Sequence, residues 1–154
     1  IVDDALAIQN AAIERYALTL KLNFGKMPPI AVQKAKILHV LVNLITNAVD
    51  AMAENDRENR ILTVATATQD GFASVAVTDN GVGIDDADIN RIFNHGFSTK
   101  VNGHGFGLHT SANFMTEMGG RLTVTSAGVG QGATFTLWIP DNDRQNREAE
   151  RAVE

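Results

Sequence analysis

The spacing of apolar residues predicts two elements in the first quarter of the chain. Between Asp3 and Tyr16 the apolar residues recur at helical spacing, which predicts an amphipathic helix led by aspartate caps. From Leu18 to Phe24 every second residue is apolar, which predicts a strand with one buried face. A long helix is then predicted over about 31–53. It ends before the polar run Glu54–Arg60, which we expect to form an exposed turn.

The remaining chain predicts short strands and helices. Two strands start at Ile61 and Phe72, and the Asp70-Gly71 pair between them is typical of a hairpin. Two short helices are predicted next, over Asp85–Phe93 and over Leu108–Met118, and the second ends at Gly119-Gly120. Two more strands are predicted to start at Arg121 and Ala133. The residues after Asp141 are mostly charged and lack a sustained apolar face, so we expect a mobile tail.

This order of elements predicts an α+β fold. Hairpins without a helix between each strand pair indicate a two-layer α/β sandwich, with helices packed on one face of a mixed, mostly antiparallel sheet. A doubly wound parallel fold would need those intervening helices. We assign residues 1–140 to one domain and 141–154 to the tail.

One polar stripe interrupts the otherwise apolar long helix. Four polar residues spaced four, four and three apart lie within about a quarter of its circumference: His39, Asn43, Asn47 and Asp50. Apolar residues fill almost all other positions, so we expect the helix to be buried as a whole. Buried asparagines need partners, which favours a polar ligand, a metal ion or a hydrogen-bonded network; capping of neighbouring loops is equally compatible.

Two glycine-rich turns are further candidates for ligand binding. Asp79 follows a strand directly and precedes Gly81 and Gly83, so its carboxylate suits an exocyclic amine such as that of adenine, although an ordinary Asx turn fits too. The alternation Gly103-His104-Gly105-Phe106-Gly107-Leu108 precedes a predicted helix. Its free N–H groups and the helix N-terminus suit phosphate.

Composition excludes several classes of function. A net charge of −5 without a basic cluster disfavours nucleic acid as the main partner. The absence of cysteine excludes disulfides and thiolate metal sites and is consistent with a cytoplasmic location. No apolar run approaches the ~20 residues that span a bilayer, so we expect no direct membrane contact. The chain starts at Ile1, and we interpret it as a piece of a longer polypeptide.

Five motifs in order resemble the catalytic ATP-binding domain of bacterial sensor histidine kinases. They are HVLVNLITNAVDAM (the N box), DNGVGI (G1), IFNHGFSTK (F), GHGFGLH (G2) and GQGATFTLWIP (G3). The resemblance covers essentially residues 1–140. It places the chain in the superfamily of DNA gyrase, the HSP90 chaperones and the MutL mismatch-repair proteins, which share the Bergerat ATP-binding fold.

The resemblance implies ATP and Mg²⁺ as cofactors and a role for each matching residue. Asn47 would bind magnesium, Asn43 would lie beside the phosphates, and Lys100 would reach a terminal phosphate. Asp79 would accept from the adenine amino group with support from Thr134. Gly81 and Gly83 would let the nucleotide lie close, and the loop that begins at Gly103 would form the phosphate-side lid. The other implied nucleotide-binding positions are Ile84, His104, Gly105, Phe106, Gly107 and Leu108.

Position 43 separates the branches of this superfamily. Relatives that hydrolyse ATP have a glutamate there to activate water, whereas Asn43 cannot accept a proton at neutral pH. The resemblance therefore implies transfer of the γ-phosphoryl group to a histidine on a separate dimerisation domain, with a response regulator downstream. None of the four histidines precedes an acidic residue, so the family's phosphoacceptor pattern is missing. An ATPase and a nucleotide-binding interaction module without catalysis remain alternatives.

Overall fold

Five strands form one mixed sheet. The computed structural model describes residues 1–27, 29–94 and 107–153. The strands are β1 (Thr19–Phe24), β2 (Ile61–Gln69), β3 (Phe72–Asp79), β4 (Arg121–Thr125) and β5 (Ala133–Pro140). Their order across the sheet is β1-β2-β3-β5-β4, with β1 parallel to β2 and the other neighbours antiparallel. The predicted α+β fold with a mixed, mostly antiparallel sheet is confirmed.

The helices supply the second layer. They are α1 (Val2–Ile8), α2 (Asn10–Arg15), α3 (Lys34–Ala51), α4 (Asp86–Ile89), α5 (Gly107–Glu117) and α6 (Asn142–Val153). Helix α3 packs on β3, α5 packs on β4 and on α3, and α1 packs on α3. The long helix is three residues shorter than predicted at its start, and α4 covers only part of the predicted 85–93. Within the described residues no helix is long and apolar enough to cross a bilayer.

Strand alternation places the core between the sheet and α3. Val64 on β2, Val77 on β3 and Leu137 on β5 are buried, as are Leu41 and Leu44 on α3. Successive residues of a strand point to opposite faces, so the intervening residues lie on the face away from these helices. Asp79 is in phase with Val77 and therefore faces the helices.

The predicted turn chemistry is confirmed at two places. Asp70 and Gly71 have φ values of 51° and 78°, the pair of positive angles that a tight hairpin turn of the I′ type requires. Gly119 has φ 76°, and the N–H of Gly120 donates to the carbonyl of Met115 at 2.8 Å, which closes the end of α5. Both helix and hairpin therefore end where the glycines predict.

The N-terminal helix differs from its prediction. It is interrupted at Gln9, whose side chain donates to Thr46 Oγ1 on α3 at 2.8 Å. The N-cap is Ile1 with no side-chain cap, so the prediction of aspartate caps is wrong. Asp3 and Asp4 lie in the first turn instead, where their charge interacts favourably with the helix dipole.

The prediction that β1 has a buried face is also wrong. Leu20, Leu22 and Phe24 are 37%, 44% and 51% exposed. They point to the same side of the sheet as the buried Leu62 and Val64 of β2. However, β1 is an edge strand, whereas α3 packs over the central strand β3 and α5 packs over β4 at the opposite edge.

A helix occupies the charged segment after Asp141, which we expected to be a mobile tail. Helix α6 begins after Asp141, whose carboxylate accepts from the N–H of Arg144 at 3.1 Å. Arg144 in turn donates to Glu148 at 2.9 Å. One cap and one i,i+4 pair thus support a helix without an apolar face. The mobility of this segment stays a prediction.

Arg60 is buried, contrary to the expected exposed turn. The residue is 8% exposed, and its guanidinium donates to the carbonyls of Tyr16, Ala53 and Asn55 at 2.8–3.1 Å. Two of these carbonyls lie just past the ends of α2 and α3, where the helix dipoles are negative. The buried side chain therefore connects three backbone carbonyls beyond the ends of α2 and α3.

We predict that Arg60→Met lowers the free energy of unfolding by at least about 2 kcal/mol, because the hydrogen bonds of a buried charged group to three carbonyls are lost. Urea unfolding measures the change. Arg57→Ala is the matched control, since Arg57 is exposed and, among the described residues, donates one bond of 3.3 Å to the carbonyl of Arg15. An Arg60→Met variant as stable as Arg57→Ala would contradict the role of this side chain.

Candidate functional site

The polar stripe of α3 is partly exposed to solvent. Asn43 and Asn47 are half-buried, whereas His39 and Asp50 are exposed. The expectation that the whole helix is buried is therefore wrong, because the helix buries only its other faces against the sheet and α1. The ring of His39 packs edge-on against Phe114 of α5, with 5.2 Å between ring centroids.

Asn43 connects α3 to the start of α5. Its amide nitrogen Nδ2 donates to Ser111 Oγ at 3.1 Å and to the carbonyl of Gly107 at 3.4 Å. Ser111 is fully buried, and the site where a Cβ would stand on Gly107 is 3.9 Å from the Asn43 amide. The stripe of α3 is therefore in direct contact with the first two turns of α5.

Asp79 ends the central strand β3 and points toward the helix layer. Only 6% of it is exposed, and its Oδ1 accepts from the N–H of Gly81 at 2.8 Å. The facing residue on β5 is Ala133, whose backbone N–H also bonds the carboxylate. An acidic side chain that is this buried needs such donors.

Burial sets the protonation of this carboxylate. It raises the pKa of Asp79 above the usual range, while the hydrogen bonds from Gly81 and Ala133 lower it by less. Since the folded-state pKa exceeds the unfolded-state pKa, the stability linked to the protonated carboxyl is present below the unfolded pKa. That stability is lost as the pH rises through the folded pKa. At higher pH the ionised Asp79 is a cost to folding, which an N–H donor on a ligand would offset.

The turn after Asp79 is packed against the end of α3. The N–H of Val82 donates to the carbonyl of Ala51 at 2.9 Å. A methyl group on Gly81 would overlap that same carbonyl and the backbone of Met52. The turn therefore carries a glycine because the helix backbone occupies the space of a side chain. This contact brings Asp79 and the stripe of α3 into one site.

The connection between β4 and β5 holds the other side of the same turn. The N–H of Gly130 donates to the carbonyl of Val82 at 2.6 Å, and the N–H of Ile84 donates to Ser126 Oγ at 3.0 Å. Gly83 has φ 70°, and a methyl group there would overlap the carbonyl of Gly128. The protein's own backbone thus occupies the positions that a Cβ on Gly81 or Gly83 would take.

Thr134 is one register position away from the residue that faces Asp79. It lies opposite Thr78, and the two hydroxyl oxygens are 2.9 Å apart. Residues in phase with Thr134 on β5 point away from the face that carries Asp79. Thr134, Thr78 and Asp79 line one pocket of about 320 Å³, together with Thr125, Ser126 and Gln131 among others. The backbone N–H of the neighbouring Ala133 bonds the Asp79 carboxylate, and support of Asp79 by Thr134 stays a prediction.

The remaining predicted site residues divide into two groups. Ile84 and Leu108 are partly buried and pack against the core, so they anchor the turn and α5. Lys100, Gly103, His104, Gly105 and Phe106 lie outside the described residues. At the border of that segment, His109 of α5 contacts the carbonyl of Phe93 through Nδ1 at 3.2 Å.

Residues 33–143 match the family of histidine kinase-, DNA gyrase B- and HSP90-like ATPases. The chain belongs to this ATPase family. The match includes the stripe of α3, Asp79 and its turn, and Ala133 on β5. The resemblance derived from the five motifs is therefore confirmed.

Individual relatives are sensor proteins. The chain is 31% identical to the sensor protein TdiS of Thauera aromatica over 91% of its own length and 26% of that protein. It is 34% identical to the sensor histidine kinase ZraS of Escherichia coli K12 (75% and 24%) and 35% identical to the sensor protein FixL of Bradyrhizobium diazoefficiens (90% and 27%). The chain thus spans about a quarter of the length of these curated relatives.

Solved structures share the fold of this ATPase domain. The nucleotide-free catalytic domain of the histidine kinase ThkA superposes with a TM-score of 0.79 at 22% identity, over 91% of this chain and 90% of that one. Full-length ShkA in complex with AMPPNP gives a TM-score of 0.78 at 21% identity, over 90% of this chain and 29% of that one.

Two polar contributors to the site are absent from the sequence predictions. Ser111 lies on the inner face of α5, in helical phase with Leu108 and Met115, and a polar residue among apolar positions was the available signal. Ala133 acts through its backbone N–H, which depends on the register between β3 and β5. No residue-type pattern reveals such a contact.

We predict that Gly83→Ala destabilises the protein more than Gly130→Ala. Both glycines have positive φ, 70° and 80°, so both variants incur left-handed strain of about 1–2 kcal/mol. Only the methyl at position 83 also meets backbone, since nothing lies within 4 Å of the corresponding site at Gly130. Urea unfolding compares them, and equal losses of stability would contradict the packing of the Asp79 turn.

Proposed function

We propose that this domain binds ATP with Mg²⁺ and delivers the γ-phosphoryl group to a histidine on a separate dimerisation domain. The observation that carries the proposal is the junction of buried Asp79 with the open stripe of α3. The similarity to TdiS, ZraS and FixL supports a sensor kinase, and a response regulator is the proposed downstream partner. We place this domain in the cytoplasm, without nucleic acid as a partner.

Asp79 is the proposed adenine contact. Its ionised carboxylate only accepts hydrogen bonds, and the adenine amino group is a donor. One carboxylate oxygen already accepts from Gly81, which fixes the plane of the group. A ligand donor arriving at this site replaces hydration that burial has removed, so the contact contributes more than an exposed one.

The amide oxygens of α3 fit a magnesium ion. Mg²⁺ prefers oxygen ligands and is commonly held by one or two protein groups together with substrate phosphates. Asn47 is the proposed protein ligand, and Lys100 with the loop from Gly103 to Leu108 is the proposed phosphate contact. When bound, the ion neutralises charge on the phosphates; the chain's own residues position the nucleotide.

Asn43 favours phosphoryl transfer over hydrolysis. An amide at this position cannot take a proton from water, whereas the ring nitrogen of a neutral histidine carries its own lone pair. Catalysis then depends on orientation of the nucleotide rather than on a protein base.

Phosphoryl transfer is tested directly with γ-radiolabelled ATP. We expect the chain alone to bind ATP and acquire no stable label. Addition of a histidine-bearing dimerisation domain should give an acid-labile label on that domain. Stable labelling of this chain would contradict the proposal. Steady phosphate release without the added domain would contradict it as well and favour an ATPase.

Asp79→Asn should lower the affinity for a nonhydrolysable ATP analogue by about ten- to a hundredfold, because the amide loses the charged acceptor for the adenine amino group. Calorimetric titration measures it. The fold should persist, since the Asn oxygen still accepts from the N–H of Gly81. Asp70→Asn is the matched control, because Asp70 is exposed in the β2–β3 hairpin turn and Asn tolerates its positive φ. Equal affinities for the two variants would show that Asp79 does not contact the nucleotide.

A further inference from the structure

The contacts of Asn43 determine which way its amide points. The carbonyl of Gly107 can only accept a hydrogen bond, so the Asn43 atom that approaches it at 3.4 Å is the nitrogen. The same nitrogen donates its other N–H to Ser111 Oγ at 3.1 Å. Both N–H groups are therefore directed at α5, and the carbonyl oxygen Oδ1 is the end of the amide that neither bond uses.

In this orientation Asn43 presents its carbonyl oxygen, a hydrogen-bond acceptor, on the side away from α5. Phosphate oxygens are acceptors as well, so an amide oxygen and a phosphate oxygen repel each other unless a cation or a donor lies between them. Asn47 lies one helical turn away on the same stripe, which makes the two side chains neighbours. The Asn43 oxygen, beside the proposed ligand Asn47, is thus a ligand atom of the kind that magnesium prefers.

We propose that Ser111 is a positioning residue, which fixes the Asn43 amide so that its oxygen is offered to the magnesium ion of the bound nucleotide. This inference rests on the proposed function of the site. Ser111 is suited to the task because it is fully buried and belongs to α5, whose first turn also supplies the Gly107 carbonyl. Without the Ser111 hydroxyl, the Asn43 amide keeps only its 3.4 Å hydrogen bond to the Gly107 carbonyl and can flip.

The test measures the affinity for a nonhydrolysable ATP analogue with Mg²⁺ and with EDTA, by calorimetry. Ser111→Ala should weaken binding about three- to tenfold with Mg²⁺, the worth of one hydrogen bond, and leave binding in EDTA within about twofold. Ser74→Ala is the matched control. Ser74 is 7% exposed and donates to the carbonyl of Ala67 at 3.4 Å within the β2–β3 hairpin, away from α3.

A double-mutant cycle separates positioning from a structural role. In an Asn43→Ala background, Ser111→Ala should have no further effect on the magnesium-dependent affinity, because the group it orients is gone. A loss that persists in that background would overturn the proposal, as would a Ser111→Ala variant that behaves like Ser74→Ala. If Ser111→Ala does not fold, the near-isosteric Ser111→Cys replaces it in the cycle with the same expected outcomes.

The wild type and Asn47→Leu test the proposed function separately. Wild-type binding that is no tighter with Mg²⁺ than with EDTA would overturn both the magnesium site and the role of Ser111. A wild type that depends on magnesium, an Asn47→Leu variant that does not, and an unaffected Ser111→Ala variant would uphold the proposed function and overturn the role of Ser111 alone.

Discussion

The fit of one turn against the end of α3 determines the geometry of the whole site. The turn after Asp79 donates an N–H from Val82 to the carbonyl of Ala51, and Gly81 lies so close to that carbonyl that no side chain fits. This contact fixes the distance between the central strand and the helix stripe. Asn43 then ties the same helix to α5, so three separate stretches of sequence meet along α3.

The site is built at a cost to stability. Burial of Asp79 disfavours its ionised form, and two backbone N–H groups compensate only in part, as the raised pKa shows. Arg60 contributes in the opposite direction, since it holds the segment between α3 and β2 together through backbone carbonyls. Functional sites commonly combine a locally unfavourable group with rigid surroundings of this kind.

Local sequence patterns predicted the elements of the fold. What these patterns could not predict depends on the long-range register and packing of those elements. The Asp70-Gly71 hairpin and the stop at Gly119 follow from backbone preferences, which act within a few residues. The exposed face of β1 does not follow from such preferences. The alternation of Leu20 and Leu22 shows which residues share a face, but not whether a helix covers that face.

The candidate site shows the same division. The sequence predicted Asn43 and Asp79 as members of one site, and the structure connects both to α3. It did not predict the contact of Asp79 with the backbone N–H of Ala133, because the antiparallel register decides which of two neighbours faces the carboxylate. The structure shows a packing role for Gly81 and Gly83, since a Cβ at either position would overlap backbone, and their closeness to a nucleotide stays a prediction.

The most direct test of the account is a two-dimensional amide NMR titration of the 154-residue chain with a magnesium complex of a nonhydrolysable ATP analogue. We expect the resonances that shift most to belong to the stripe of α3, the turn from Asp79 to Ile84 and the first turn of α5. Shifts concentrated instead on the edge strand β1, around Leu20 and Leu22, would contradict the proposed site.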